Sequence, residues 1–360
     1  MVRNRRQDGW GAERAWRLTV VSRIGGTEAT GPDAFGRVVD VGIDPLGRIW
    51  VADGMQQQLK VFEPDGTFVR SVGRKGGGPA EFMGISGFDW APDGTLWVLD
   101  GGSSRFAVYD TAGRLVATHP RFSGASVTPW PGGFDREGKL LDIGGMRRVG
   151  EETVVSLVDF DRHARPVDTL HLPPLREEYF GKITSGDARS QRTRQAPVPF
   201  SATQIWGMDP EGYVWYARTD HYRLERRSFD GTVERVVELQ NRARPVSGAD
   251  KEEILRNYRW FQEAGGTLDP SRIPDRHPHL ANLFFSPEGE LWVLPTYFVG
   301  EKPLMDVFDL HGRYLGQVQS PVPFLSHPSP SIRAGRVAAV SRDDDGVDAV
   351  VLMRLEKPRR

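Results

Sequence analysis

The chain has 360 residues, 38% hydrophobic and 26% charged, and 47 basic residues stand against 48 acidic ones for a formal net charge of −1. This is the composition of a soluble globular body with ample material for a core, and it creates no global field for nucleic acid or an anionic membrane. Cysteine is absent, which excludes disulfides, thiolate metal sites and a cysteine nucleophile; no apolar run reaches the length of a membrane span.

Residues 1–16 start basic, with Arg3, Arg5 and Arg6, and lack the apolar stretch of an export signal. They are expected to form a flexible extension. As it stands the chain reads as cytoplasmic; a signal removed upstream would make it periplasmic or secreted. Residues 17–26 then read as a strand resembling the later segment 68–73. From Val38 the pattern becomes regular. The apolar strand Val38-Val39-Asp40-Val41-Gly42-Ile43 ends at Asp44-Pro45-Leu46-Gly47, where proline presets φ and glycine accepts a positive φ. A strand over 48–52, a third over 59–62, the turn Glu63-Pro64-Asp65-Gly66 and a fourth strand over 67–72 complete a unit. The Asp-Gly pair between apolar runs is a hairpin signal.

The unit recurs. Gly47-Arg48-Ile49-Trp50 is matched by Gly94-Thr95-Leu96-Trp97, Gly212-Tyr213-Val214-Trp215 and Gly289-Glu290-Leu291-Trp292. Degenerate copies stand at Gly138-Lys139-Leu140-Leu141 and Gly335-Arg336-Val337-Ala338, at intervals of 47, 44, 74, 77 and 46 residues. Four strands per unit, repeated around a centre, leave only short, protected sheet edges. The expected fold is all-β: a six-bladed β-propeller of four-stranded blades over residues 17–356, with a tail at 357–360. The sixth unit lacks one strand, and the N-terminal strand is expected to supply it and close the ring. The tryptophans are expected to pack between adjacent blades.

The two long intervals hold inserts. The first, about 173–202, is rich in Arg176, Lys182, Arg189, Arg192 and Arg194 against Glu177, Glu178 and Asp187; it reads either as a solvated flexible loop or as a lid for anions or RNA. The second, about 241–281, carries a capping box at Ser247-Gly248-Ala249-Asp250 and an apolar stripe of Ile254, Tyr258 and Phe261, with Gly265 able to end a helix. A short helical insert between blades four and five follows, its stripe expected on the ring.

Ile49-Trp50-Val51-Ala52-Asp53, Leu59-Lys60-Val61-Phe62, Asp65-Gly66-Thr67-Phe68 and Gly76-Gly77-Gly78-Pro79 together resemble an NHL repeat, and the second unit fits through Leu99-Asp100 and Arg105 to Asp110. The chain is similar to bacterial six-bladed NHL-type propellers. That resemblance implies a binding scaffold for peptide, protein or small molecule, or an amidating-lyase-like or lactonase-like enzyme. The metal-binding Glu, Asn and Asp set of the related lactonases has no match here.

Tight turns fall on one end of such a ring; the turns between second and third strands, the blade connections and both inserts fall on the other, where function is expected. Candidate ligand-binding residues there are Asp53, Asp100, Arg105, Asp220, His221 and Tyr222. Asp53, Asp100 and Asp220 recur after the second strand and also suit turn capping. His221, His277, His279 and His327 are candidate metal ligands if neighbouring blades bring them together, the metal being Ca²⁺ or Zn²⁺. Asp343-Asp344-Asp345-Gly346 reads as a charged hairpin turn rather than a calcium loop. No nucleophile elbow, phosphate loop or His-Glu-x-x-His occurs. The leading expectation is a monomeric binding scaffold with no certain cofactor and RNA an unlikely partner; the alternative is a metal-dependent lyase or hydrolase with its site at the axial mouth.

Overall fold

The computed structural model describes residues 1–121, 127–185, 192–298 and 300–358. Within them six four-stranded antiparallel sheets follow one another as blades, opening at Val38–Ile43, Ile85–Trp90, Gly133–Phe134, Gln204–Met208, Leu280–Phe285 and Ser331–Arg333. Every hairpin glycine of the repeat adopts the positive φ its turn demands: Gly47 and Gly94 at +85°, Gly138 at +82°, Gly212 at +85°, Gly289 at +100° and Gly335 at +70°. The degenerate third copy therefore shares the backbone of the clear ones, while the sixth is a tighter two-residue turn in which Ala334 is also at positive φ, +49°, and Arg333 stands opposite Arg336.

The aspartate that opens the turn has two tasks. Asp44 Oδ1 accepts the N–H groups of Leu46 and Arg48 at 2.9 Å, and Oδ2 accepts the Trp50 indole N–H at 3.0 Å. Asp209 does the same for Glu211, Tyr213 and Trp215. Turn and inter-blade tryptophan are thus tied by one carboxylate. The core is divided among the seams, one hydrophobic cluster to each. Trp50 packs with Phe82 and Ile85 of the next blade, Trp97 with Leu140 and Phe160, Trp215 with Leu283 and Leu291, and Trp292 with Ile332 and Val337.

Ring closure follows the sequence reading. Arg17–Gly25 pairs antiparallel with Asp348–Glu356 as the outermost strand of blade six, from Arg17 opposite Glu356 to Gly25 opposite Ala349. The turn at Asp343 is the expected hairpin, with Gly346 at φ +79° and Asp343 accepting the Thr27 N–H and hydroxyl.

Three features depart from expectation. Residues 1–16 are a strap rather than a free extension. Val2–Asn4 adds a parallel strand to the outer edge of blade four, and Trp10 and Trp16 stack at 4.9 Å beside Trp292. The strap is held because Arg6 and Asn4 each find buried partners in blade five. The first insert is paired rather than a plain loop: Tyr179–Ser185 and Arg192–Pro197 form a hairpin that stays largely exposed, while Asp187 and Arg189 lie outside the described residues. The helical insert does form, Gly248–Asn257 behind a complete Ser247/Asp250 capping box and then Arg259–Glu263. Its stripe, however, meets the hairpin. Phe180 packs edge-on to Tyr258, Phe261 lies against Gly181, and Arg194 sits 4.0 Å over Trp260. The two inserts cover each other.

Candidate functional site

The innermost strands of all six blades enclose an axial channel of about 1110 Å³. At the insert-bearing end it is extended by blade three, whose middle strands Leu140–Val149 and Glu152–Phe160 are unusually long. Their tips bring Met146, Thr153 and Val155 to the mouth, with Glu177 beyond. Trp90, Trp206 and Phe285 supply aromatic wall, while Gln204, Asn282 and His327 are polar groups of the lining. A large concave cavity, mostly apolar with a few placed polar groups, is the usual form of a ligand site.

Four acidic side chains line this channel among the described residues, Asp40, Asp89, Asp135 and Glu177. Asp135 accepts the Glu137 and Lys139 N–H groups of its own turn and Glu177 the Tyr179 hydroxyl, while the other two reach between blades. Asp40 Oδ1 accepts the Val41 N–H and Oδ2 the Phe88 N–H, both at 2.8 Å; Asp89 Oδ1 accepts from Trp90 and Oδ2 from Phe134, again at 2.8 Å. Each stitches its blade to the next, and all these donors are backbone groups. Gly87 makes room for the first: a Cβ there would stand 2.9 Å from Asp40 Oδ2. Both side chains are half-buried and reached from the channel. Enclosure nevertheless pushes the Asp40 pKa up to about 8, against its two N–H donors and with the neighbouring Asp89 adding to the rise. Burial raises Asp89 as well, and the positive charge of Arg333 opposes that rise. The Arg333 side chain lines the channel with no hydrogen bond or ion pair among the described residues.

The candidates from the sequence fall elsewhere. Asp53 is fully buried and accepts the N–H groups of Gly36, Met55 and Gln56. Asp100 does likewise for Met83 and Gly84. Arg105 pairs with Asp100 at 3.3 Å and donates to the carbonyls of Gly78 and Glu81, pinning the connection between blades. These three hold loops. In blade four the same inter-loop role belongs to Thr219, whose hydroxyl accepts the Thr203 N–H. Asp220 instead meets Arg218 and His221 at the surface. Tyr222 is buried with its hydroxyl on Asp306.

Nor do the four histidines converge. His221 is exposed beside Asp220. His279 lies near enough for His221 and Arg276 to help burial depress its pKa. His277 is caged by Phe200 and Phe298 and reaches Asp250 at 3.3 Å. His327 alone lines the channel, its pKa lowered by enclosure. Among the described residues no three side chains of His, Cys, Asp or Glu are placed to hold a metal, so the candidate Ca²⁺ or Zn²⁺ ligands His221, His277, His279 and His327 are not brought into one set. Among the described residues, no helix is long and apolar enough to cross a membrane.

The family model for DUF5128, described as a 6-bladed beta-propeller, matches residues 35–120. That span is the first two blades, the part of the chain with the most regular repeat. No curated protein matches the sequence. Solved structures are similar in fold. A Bacteroides fragilis protein described as exported gives a TM-score of 0.53 at 11% identity, over 99% of this chain and 99% of that one. A catalytically inactive virginiamycin B lyase from Staphylococcus aureus with quinupristin gives 0.48 at 9% identity, over 95% and 100%. The calcium-binding protein regucalcin from Agrobacterium tumefaciens gives 0.37 at 13% identity, over 95% and 96%. The first of these speaks of architecture alone at its 11% identity, and function has to be argued from the site.

Proposed function

We propose that this protein is a ligand-binding propeller that takes a small molecule or the end of a peptide into its axial channel from the insert-bearing face. The observation that carries the reading is the channel itself: a large cavity walled by Trp90, Trp206 and Phe285 in which Asp40, Asp89 and Arg333 keep hydrogen-bonding capacity that no side chain uses. We read the repeats as NHL-type on the strength of Ile49 to Asp53 and their successors. A metal-dependent lyase or hydrolase is not favoured, because its candidate ligands stand in separate settings.

The test is a thermal-shift screen of the full chain against small molecules and short peptides, followed by calorimetry on the hits. Trp206→Ala, which removes a wall, is expected to weaken a genuine ligand at least tenfold, roughly 1.4 kcal/mol. Met146→Trp, which narrows the mouth at an exposed position, is expected to weaken it too. Hits indifferent to both variants would overturn the channel as the site.

A further inference from the structure

We infer that the ligand of the channel carries an organic cation, an ammonium on an aromatic or otherwise apolar body, and that Asp40 receives it between the channel's aromatic walls. This rests on the channel being the binding site and adds the chemistry of its occupant.

A carboxylate taken out of bulk water without a counter-ion is costly, so it either takes up a proton or binds a cation. Asp89 has the charge of Arg333 working on it. Asp40 has no such neighbour: the one charged group acting on it is Asp89, of like sign, and its oxygens are served only by Val41 and Phe88 N–H groups. Among the described residues Asp40 is thus a channel carboxylate at a blade seam that no cation answers. The channel's aromatic wall, Trp90 on the next blade and Trp206 on the opposite one, offers ring faces to which a positive charge is attracted. A hard metal ion is a poor occupant, since Ca²⁺ wants six to eight oxygens and among the described residues no three acidic or histidine side chains are grouped to supply them. An anion would meet Asp40 and Asp89 together. Arg333 gives the site polarity: it repels a cation from its own side of the channel and leaves that side to a neutral or acidic end of the ligand.

The probe is benzyltrimethylammonium, whose charge is independent of pH, with 2-phenylethanol as the neutral comparison, both titrated into the full chain by calorimetry. Since the cation pairs with ionised Asp40, its affinity is expected to rise about tenfold per pH unit from pH 6 towards pH 8 and then level off, while that of the alcohol stays flat. Asp40→Asn is expected to abolish the pH dependence and the preference for the cation. That variant gives up a backbone acceptor; should it fail to fold, the pH profile of the unaltered protein decides alone. Equal, pH-independent binding of both probes would overturn the cation inference and leave the channel reading intact. So would failure of both probes where a screening hit binds and loses affinity on Trp206→Ala. Failure of every compound at the channel would remove both.

Discussion

Asp306 and Asp40 lie in the same ring, enclosed by it, and are served in opposite ways. Asp306 has no exposure and gathers five donor contacts: two from Arg6 at 2.7 and 3.1 Å, one each from Tyr222, Tyr314 and Gln317 at 2.8 to 3.0 Å. Its charge is neutralised by the strap and locked between blades four and five. Asp40 has two backbone N–H groups and, among the described residues, no cation. The contrast separates a carboxylate that fastens the fold from one that the fold leaves unfinished. A satisfied buried charge belongs to architecture; an unsatisfied one facing a cavity points to a ligand.

The comparison can be broken at either end. The largest effect is expected for Arg6→Ala, which strands the Asp306 charge: a loss of about 3 kcal/mol in urea unfolding, as for removing one partner of a buried pair. A loss below ~1 kcal/mol would mean that the strap is incidental. Tyr222→Phe, which leaves Asp306 its other donors, is expected to cost about 1–2 kcal/mol in the same measurement.

At Asp40 the sign reverses. Its folded-state pKa is raised, so its contribution to stability is fully present only below the unfolded carboxyl range near ~4 and is lost as pH climbs to about 8. Without ligand, stability is expected to fall over that window. Asp40→Asn flattens the curve and gains roughly 1–2 kcal/mol on the unaltered protein at pH 9, a figure kept small because channel water reaches the group. Thermal melts at pH 5, 7 and 9 measure it, and an unchanged slope would count against an uncompensated Asp40. The smallest effect concerns Trp292, whose indole N–H has no acceptor because Ser286 stands where Asp44 and Asp209 serve Trp50 and Trp215. Ser286 now donates to the Glu290 carboxylate, so the double change Ser286→Asp with Glu290→Arg, which copies the Asp44–Arg48 pair, is expected to add about 0.5–1 kcal/mol, read as a small rise in melting temperature.

What was legible in the residues was local. The turn chemistry of Asp44 to Gly47 and its copies, the Ser247 capping box and the closing strand after Arg17 all depend on groups a few positions apart or on a repeated pattern. The inserts were legible as inserts, but their hairpin-to-helix packing was not, because Phe180 and Tyr258 meet across nearly eighty positions of chain. Asp53 and Asp100 were found for a sound reason, their place after the second strand, and proved to hold backbone loops. Asp220 shared their place by count but not their task, which Thr219 performs. Asp40 gave no signal: one acidic residue in an otherwise apolar strand looks like a position turned to solvent.

The sequence by itself therefore determined the blade, its number of copies and the polarity of the ring, because alternation and turn geometry act over spans of two to six residues. Only the tertiary structure decided which charges are answered. Arg6 reaches Asp306 across 300 positions, and Asp40 finds no such partner. Burial and pairing depend on what the closed ring brings within a few ångströms, and no local pattern encodes that distance.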